Sequence, residues 1–115
     1  MAKKIEYPKL PPVFKAKWLA ALRSGDYIKG NNYLQRTLDN KTTYCCLGVA
    51  CKIQHPKLDI ESHYFIEDEI AKNAKKVPKL LKGDRENSLI QKLAAMNDLE
   101  KHSFKQIANW IEKNL

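Results

Sequence analysis

Arginine is scarce in this chain. Among 115 residues and 21 basic side chains, only Arg23, Arg36 and Arg85 are arginines. Proteins that read duplex DNA lean on arginine for bidentate guanine contacts, so sequence-specific duplex recognition is disfavoured. Glycine is equally sparse, four in all. None stands in a Walker or dinucleotide-binding phosphate loop, and no HExxH pair is present. No apolar run is long enough to cross a bilayer, so no membrane partner is expected. Met1-Ala2-Lys3-Lys4 is basic but no apolar stretch follows it, which predicts no secretory leader. The cysteines number three, Cys45, Cys46 and Cys51. They are too few and too closely spaced for a disulfide framework, and they lack the C-x₂-C clamp of a zinc site. A reduced, intracellular setting and no metal are therefore expected. Internal repeats and low-complexity tracts are absent.

What the chain has in excess is lysine. A net charge of +8 favours anionic partners: nucleotides, nucleic acid, an acidic protein or, by charge alone, a membrane surface, although a basic surface also serves solubility alone. The length suits one domain with a modest core.

Pro8, Pro11 and Pro12 predict an extended arm over residues 1–12, leaving 13–115 as a single globular domain. Phe14, Trp18 and Leu22 form one apolar stripe and predict a helix over 13–24, ended by Gly25. Residues 43–54 carry Cys46, Val49, Ala50 and Ile53 at helical spacing, with Thr42 or Thr43 as the N-cap and Gly48 permitting close packing, the Trp18 face being a neighbour. Turn-forming residues punctuate 26–43, and Ile60 to Ile66 reads as a short strand, so a small β-hairpin from 26–43 and 60–66 is expected. Leu89, Ile90, Leu93 and Ala94 predict a helix over 86–97, with Asn97-Asp98 beginning a turn. Ser103-Phe104-Lys105-Gln106 is a capping box opening a helix over 103–114. The fold class is mainly α, with α+β as the alternative: a compact helical domain ending in an αα-hairpin. The predicted core is Phe14, Trp18, Leu22, Cys46, Val49, Ile53, Leu93, Ile107 and Ile111.

Several constellations carry chemistry. Cys45 or Cys46 at a helix start could be a nucleophile with His55, His63 or His102, but cysteine serves as often as a small buried hydrophobe. Glu67-Asp68-Glu69 could pair as acids, yet it also suits an exposed helix start. Ser103 to Ala108 resembles the first helix of a helix-turn-helix, but the chain ends where a recognition helix should follow. The anion-binding expectation falls on Lys72, Lys75, Lys76, Lys79, Lys82 and Arg85, whose charges suit phosphate, with Tyr64 and Phe65 to stack on a base. A solvated lysine face is the plain alternative. No catalytic residue and no cofactor are predicted.

Trp18-Leu19-Ala20-Ala21-Leu22-Arg23-Ser24-Gly25-Asp26-Tyr27, then Tyr44-Cys45-Cys46-Leu47-Gly48-Val49 with Cys51, then Leu93 before Asn97-Asp98, then Ser103-Phe104 with Ile107-Ala108 and Ile111-Glu112, form an ordered pattern. It resembles a family of small proteins, without assigned chemistry, found in tailed bacteriophages. The likeness spans residues 18–112. Residues 57–86 do not match, and Met96 stands where leucine is usual. The resemblance implies a phage accessory protein acting in the host bacterial cytoplasm. With the charge, it leads to an expected non-enzymatic counter-defence role: sequestering an anionic ligand, a nucleotide-type immune signal. The alternatives are an inhibitor that binds a host enzyme or defence factor, or a nucleic-acid-binding protein; self-association into a homo-oligomer is left open.

Overall fold

A computed structural model of the protein describes residues 7–83 and 87–115. The first half of the expected arm and Arg85 lie outside the described residues. Helix α1 spans Pro12–Ser24: proline at its first position is pre-set for helical φ, and Gly25 ends it in the left-handed conformation (φ 82°). Its stripe of Phe14, Trp18, Leu19 and Leu22 is buried.

Strands β1 (Gln35–Leu38) and β2 (Lys41–Tyr44) form an antiparallel hairpin in which Leu38 pairs with Lys41. The two residues between them, Asp39 and Asn40, both have positive φ (50° and 65°), the conformation a tight hairpin loop requires and one these side chains tolerate. The β-hairpin is thus present, but both strands come from residues 35–44. Residues 60–66 do not form a strand; they add only an isolated bridge between Gln35 and Glu61. Ser62, with φ 63°, breaks the extended path there.

Helix α2 (Cys46–Gln54) begins three residues later than its periodicity suggests, because Thr42 and Thr43 belong to β2. Neither threonine caps it. The cap comes from 51 residues away: the Cys46 amide donates to Oδ1 of Asn97 at 3.2 Å. Asn97 lies in a wide π turn, Ala95–Leu99, that prolongs helix α4 (Ser88–Ala94) instead of opening a loop. Only 1 % exposed, its Nδ2 donates to the Gly30 carbonyl at 2.9 Å and to Asp98 Oδ1 at 2.8 Å. Its own carbonyl accepts from Lys29 Nζ at 2.6 Å. Asp98 Oδ1 also accepts from the Asn32 amide at 2.8 Å. One buried amide therefore ties the 29–32 loop, the start of α2 and the end of α4 together, with its polar atoms satisfied as burial demands.

The short helix α3 (Asp68–Ala71) and a 3₁₀ turn (Lys79–Leu81) carry the middle of the chain. Helix α5 (Phe104–Asn114) starts with the expected capping box: Ser103 Oγ accepts from the Gln106 amide at 3.2 Å, and Gln106 Oε1 accepts from the Ser103 amide at 2.8 Å. Its apolar face packs mainly on α1. Across the rim, the Arg23 guanidinium donates to both Glu112 oxygens (3.3 and 3.2 Å) and to Asn109 Oδ1 (2.9 Å). The described part of the arm is docked too, with the Leu10 amide donating to the Leu115 carbonyl and the Tyr7 ring edge-on to Trp110.

Eight of the nine expected core residues are buried; Ile53 is half-buried against them. Among the residues that join them in the core are Leu34, Ile60, Ile66, Val77 and Leu81, most of them from irregular segments where no period marks them.

Candidate functional site

The three thiols are packed into the interior. Burial pushes Cys45 and Cys51 up to about 12 and Cys46 well above its ordinary value. Desolvation outweighs the backbone amides at the start of α2, which by themselves favour a thiolate at Cys45 and Cys46. Among the described residues no imidazole is hydrogen-bonded to a sulfur; Cys46 Sγ faces the Leu93 carbonyl at 3.9 Å. His55 Nε2 accepts from the Lys76 amide, and His102 pairs with Glu100. A thiol whose folded pKa lies above its unfolded one contributes stability in full below the ordinary value of 9.0 and loses it as pH climbs toward 12. The urea midpoint is therefore expected to fall between pH 9 and 12. A Cys51→Ala variant should show a shallower fall, which assigns that part of the pH dependence to the thiol. Alkylation by iodoacetamide at pH 8 should be slow in the native protein and fast in urea.

An open cleft of about 610 Å³ lies where α1, β2 and the end of α2 meet, within the size range of small-molecule sites. Lys17 and Ala20 reach it from the outer face of α1, away from the Trp18 stripe. Tyr27 follows the Gly25 turn, Tyr44 ends β2, and Lys52 and Ile53 come from the last turn of α2, with Pro56 beyond. The Tyr27 and Tyr44 rings meet edge-on, 5.2 Å apart at 81°. Burial, then the neighbouring Tyr44 and Asp26, raise the Tyr27 hydroxyl above its usual range, so it stays a donor at neutral pH. Lys52 is held in place by the Pro56 and Leu58 carbonyls, at 3.3 and 2.7 Å. It offsets the partial negative charge at the C-terminus of α2. Lys17 is exposed, and its ammonium has no partner among the described residues. The cleft thus offers one free cation, one fixed cation, two ring surfaces and an apolar floor.

The lysines singled out from the sequence do not line this cleft. Lys72 caps the end of α3; Lys75 and Lys76 follow it, exposed. The Lys76 backbone is pinned to the end of α2, its amide donating to His55 Nε2 at 3.2 Å and its carbonyl accepting from Gln54 Nε2 at 3.3 Å. A second groove, about 460 Å³ and lined by His55, Lys57, Leu58 and Asn73, adjoins the first at Pro56. Lys79 opens the 3₁₀ turn and is exposed, while Lys82 follows that turn half-buried. Tyr64 is half exposed and stacked on Tyr33. Phe65 lines a separate groove of about 300 Å³ with Asn32, Gln91 and Leu99. The Glu67-Asp68-Glu69 run is the exposed start of α3.

Sequence reasoning passed over Lys17, Tyr27, Tyr44 and Lys52. The signal was present for the tyrosines, which stand at the edges of two blocks of the ordered pattern. For the lysines there was none, because a lysine on the solvent face of a helix looks the same whether or not a cleft lies beneath it.

Among the described residues, no group of three or more histidine, cysteine or acidic side chains is placed to hold a metal ion, and no helix is long and apolar enough to cross a membrane. No curated protein and no solved structure matches the chain. Residues 11–115 match the model of a domain of unknown function, DUF8296, and the chain belongs to that family.

Proposed function

We propose that this protein is a non-catalytic binder of an anionic, flat organic molecule of the nucleotide class, held in the cleft between α1 and the end of α2. The observation that carries this is the pairing of Lys17 and Lys52 with the Tyr27–Tyr44 rings around one 610 Å³ space. Ammonium groups suit phosphate as point charges, and tyrosine rings suit the face or edge of a base. The +8 charge draws such ligands in, and Lys57 in the adjoining groove adds to the local field. In this reading the buried thiols take no part.

The resemblance to small tailed-phage proteins supports a counter-defence setting in a bacterial host, in which removing a nucleotide signal from solution requires affinity and no chemistry. Isothermal titration with a panel of nucleoside mono-, di- and triphosphates at low salt tests the reading. Binding is expected for at least one, weakened tenfold or more by Lys17→Glu, a solvent-exposed change that leaves the core intact. No heat with any nucleotide, or equal affinity in the variant, would overturn it.

A further inference from the structure

A second surface has a different chemistry. Tyr33 and Tyr64 stack with ring centroids 4.8 Å apart and planes 26° from parallel, their hydroxyls joined at 3.3 Å. The Arg36 guanidinium lies over the Tyr33 ring, 4.6 Å from its centre. Tyr64 nevertheless remains 54 % exposed. A stacked pair whose outer ring stands in solvent while the inner one, Tyr33, is half-buried and steadied by a cation is an unusual use of large apolar area, since stacking alone is satisfied equally well inside. The groove of about 300 Å³ beside it joins Phe65 and Leu99, the latter 81 % exposed, to the side chains of Asn32, Gln91 and Asp98. Asp98 Oδ1 is engaged by the Asn32 amide and Asn97. Its Oδ2 has no partner among the described residues and is free to accept.

We infer that this ledge and groove bind unpaired bases of a single-stranded nucleic acid. The Tyr64 face takes one base by stacking. The groove takes its neighbour, Phe65 and Leu99 covering the ring. The amides of Asn32 and Gln91 and the Asp98 carboxylate meet the ring nitrogens and exocyclic amino groups that adenine and cytosine present. The phosphate backbone is attracted by Arg36 and by the +8 charge of the whole chain. A duplex has no unstacked base to offer, and the three-arginine composition does not suit groove reading, so single strands are preferred. This surface shares no residue with the Lys17–Lys52 cleft, and the two proposals stand or fall separately.

Fluorescence anisotropy of the full chain with labelled twelve-nucleotide oligo(dA), and with the same length of duplex, tests it at low salt. The single strand is expected to bind more tightly than the duplex. Tyr64→Ala should weaken it between about fivefold and a hundredfold, the range one base–ring stack supplies. Tyr64→Phe should keep most of the affinity. Circular dichroism should show both variants folded, because Tyr64 lies at the surface. Equal affinity for duplex and single strand, an unchanged Tyr64→Ala, or no binding would each overturn the inference; the last two would leave a protein partner as the better occupant of the ledge.

Discussion

Replacing Trp18 by alanine is expected to remove about 3–5 kcal/mol of stability, against about 5–15 kcal/mol for a domain of this kind. Trp18 is fully buried, packs on Phe14 at 5.6 Å, and donates its indole N–H to the Cys46 carbonyl at 3.0 Å. The substitution opens a cavity between α1 and α2 and leaves that carbonyl without its side-chain donor, and the two losses add. Trp18→Phe separates them: it keeps most of the volume, loses the hydrogen bond, and should cost about 1–3 kcal/mol. Urea unfolding followed by far-UV circular dichroism gives both values. A Trp18→Ala protein that unfolds at the wild-type midpoint would remove Trp18 from the centre of the core.

The second large effect runs against helix propensity. Gly48 lies inside α2, where alanine is ordinarily better by about 1 kcal/mol. Here a Cβ at position 48 would run into the carbonyl of Leu34. Leu34 cannot readily step aside: its side chain is fully buried, its amide donates to the His63 carbonyl at 2.6 Å, and its carbonyl accepts from the Cys45 amide. Gly48→Ala is therefore expected to destabilise by about 3 kcal/mol or more, beyond ordinary overpacking because the obstacle is backbone. The sign is the test. A Gly48→Ala variant as stable as wild type, by the same unfolding measurement, would mean that α2 does not press on the chain at Leu34. The sequence suggests close packing at Gly48; that it is Leu34, and not only the Trp18 face, which comes so near is a tertiary fact.

The same division runs through the molecule. The stripes of α1 and α5, the Gly25 stop and the Ser103–Gln106 box were legible because each is written within a few residues, where backbone geometry fixes which side chains meet. The hairpin was placed only roughly, since Ile60 to Ile66 has a strand's composition but no partner strand along its length. The start of α2 was misplaced because two threonines before a helical stripe look like a cap, and nothing nearby reveals that Asn97 does that work. At the site, the lysine-rich segment stood out by density of charge. The Lys17–Lys52 cleft did not, because its residues come from three elements and none is unusual in its own neighbourhood.

From its sequence alone, then, this chain settles its helical character, most of its buried stripe residues and its basic charge, all of which follow from short-range periodicity and composition. Only the tertiary structure decides that Asn97 caps α2, that Gly48 meets Leu34, and that two lysines and two tyrosines share one cleft. Those depend on contacts between residues tens of positions apart, which are set by how whole elements pack and leave no local trace.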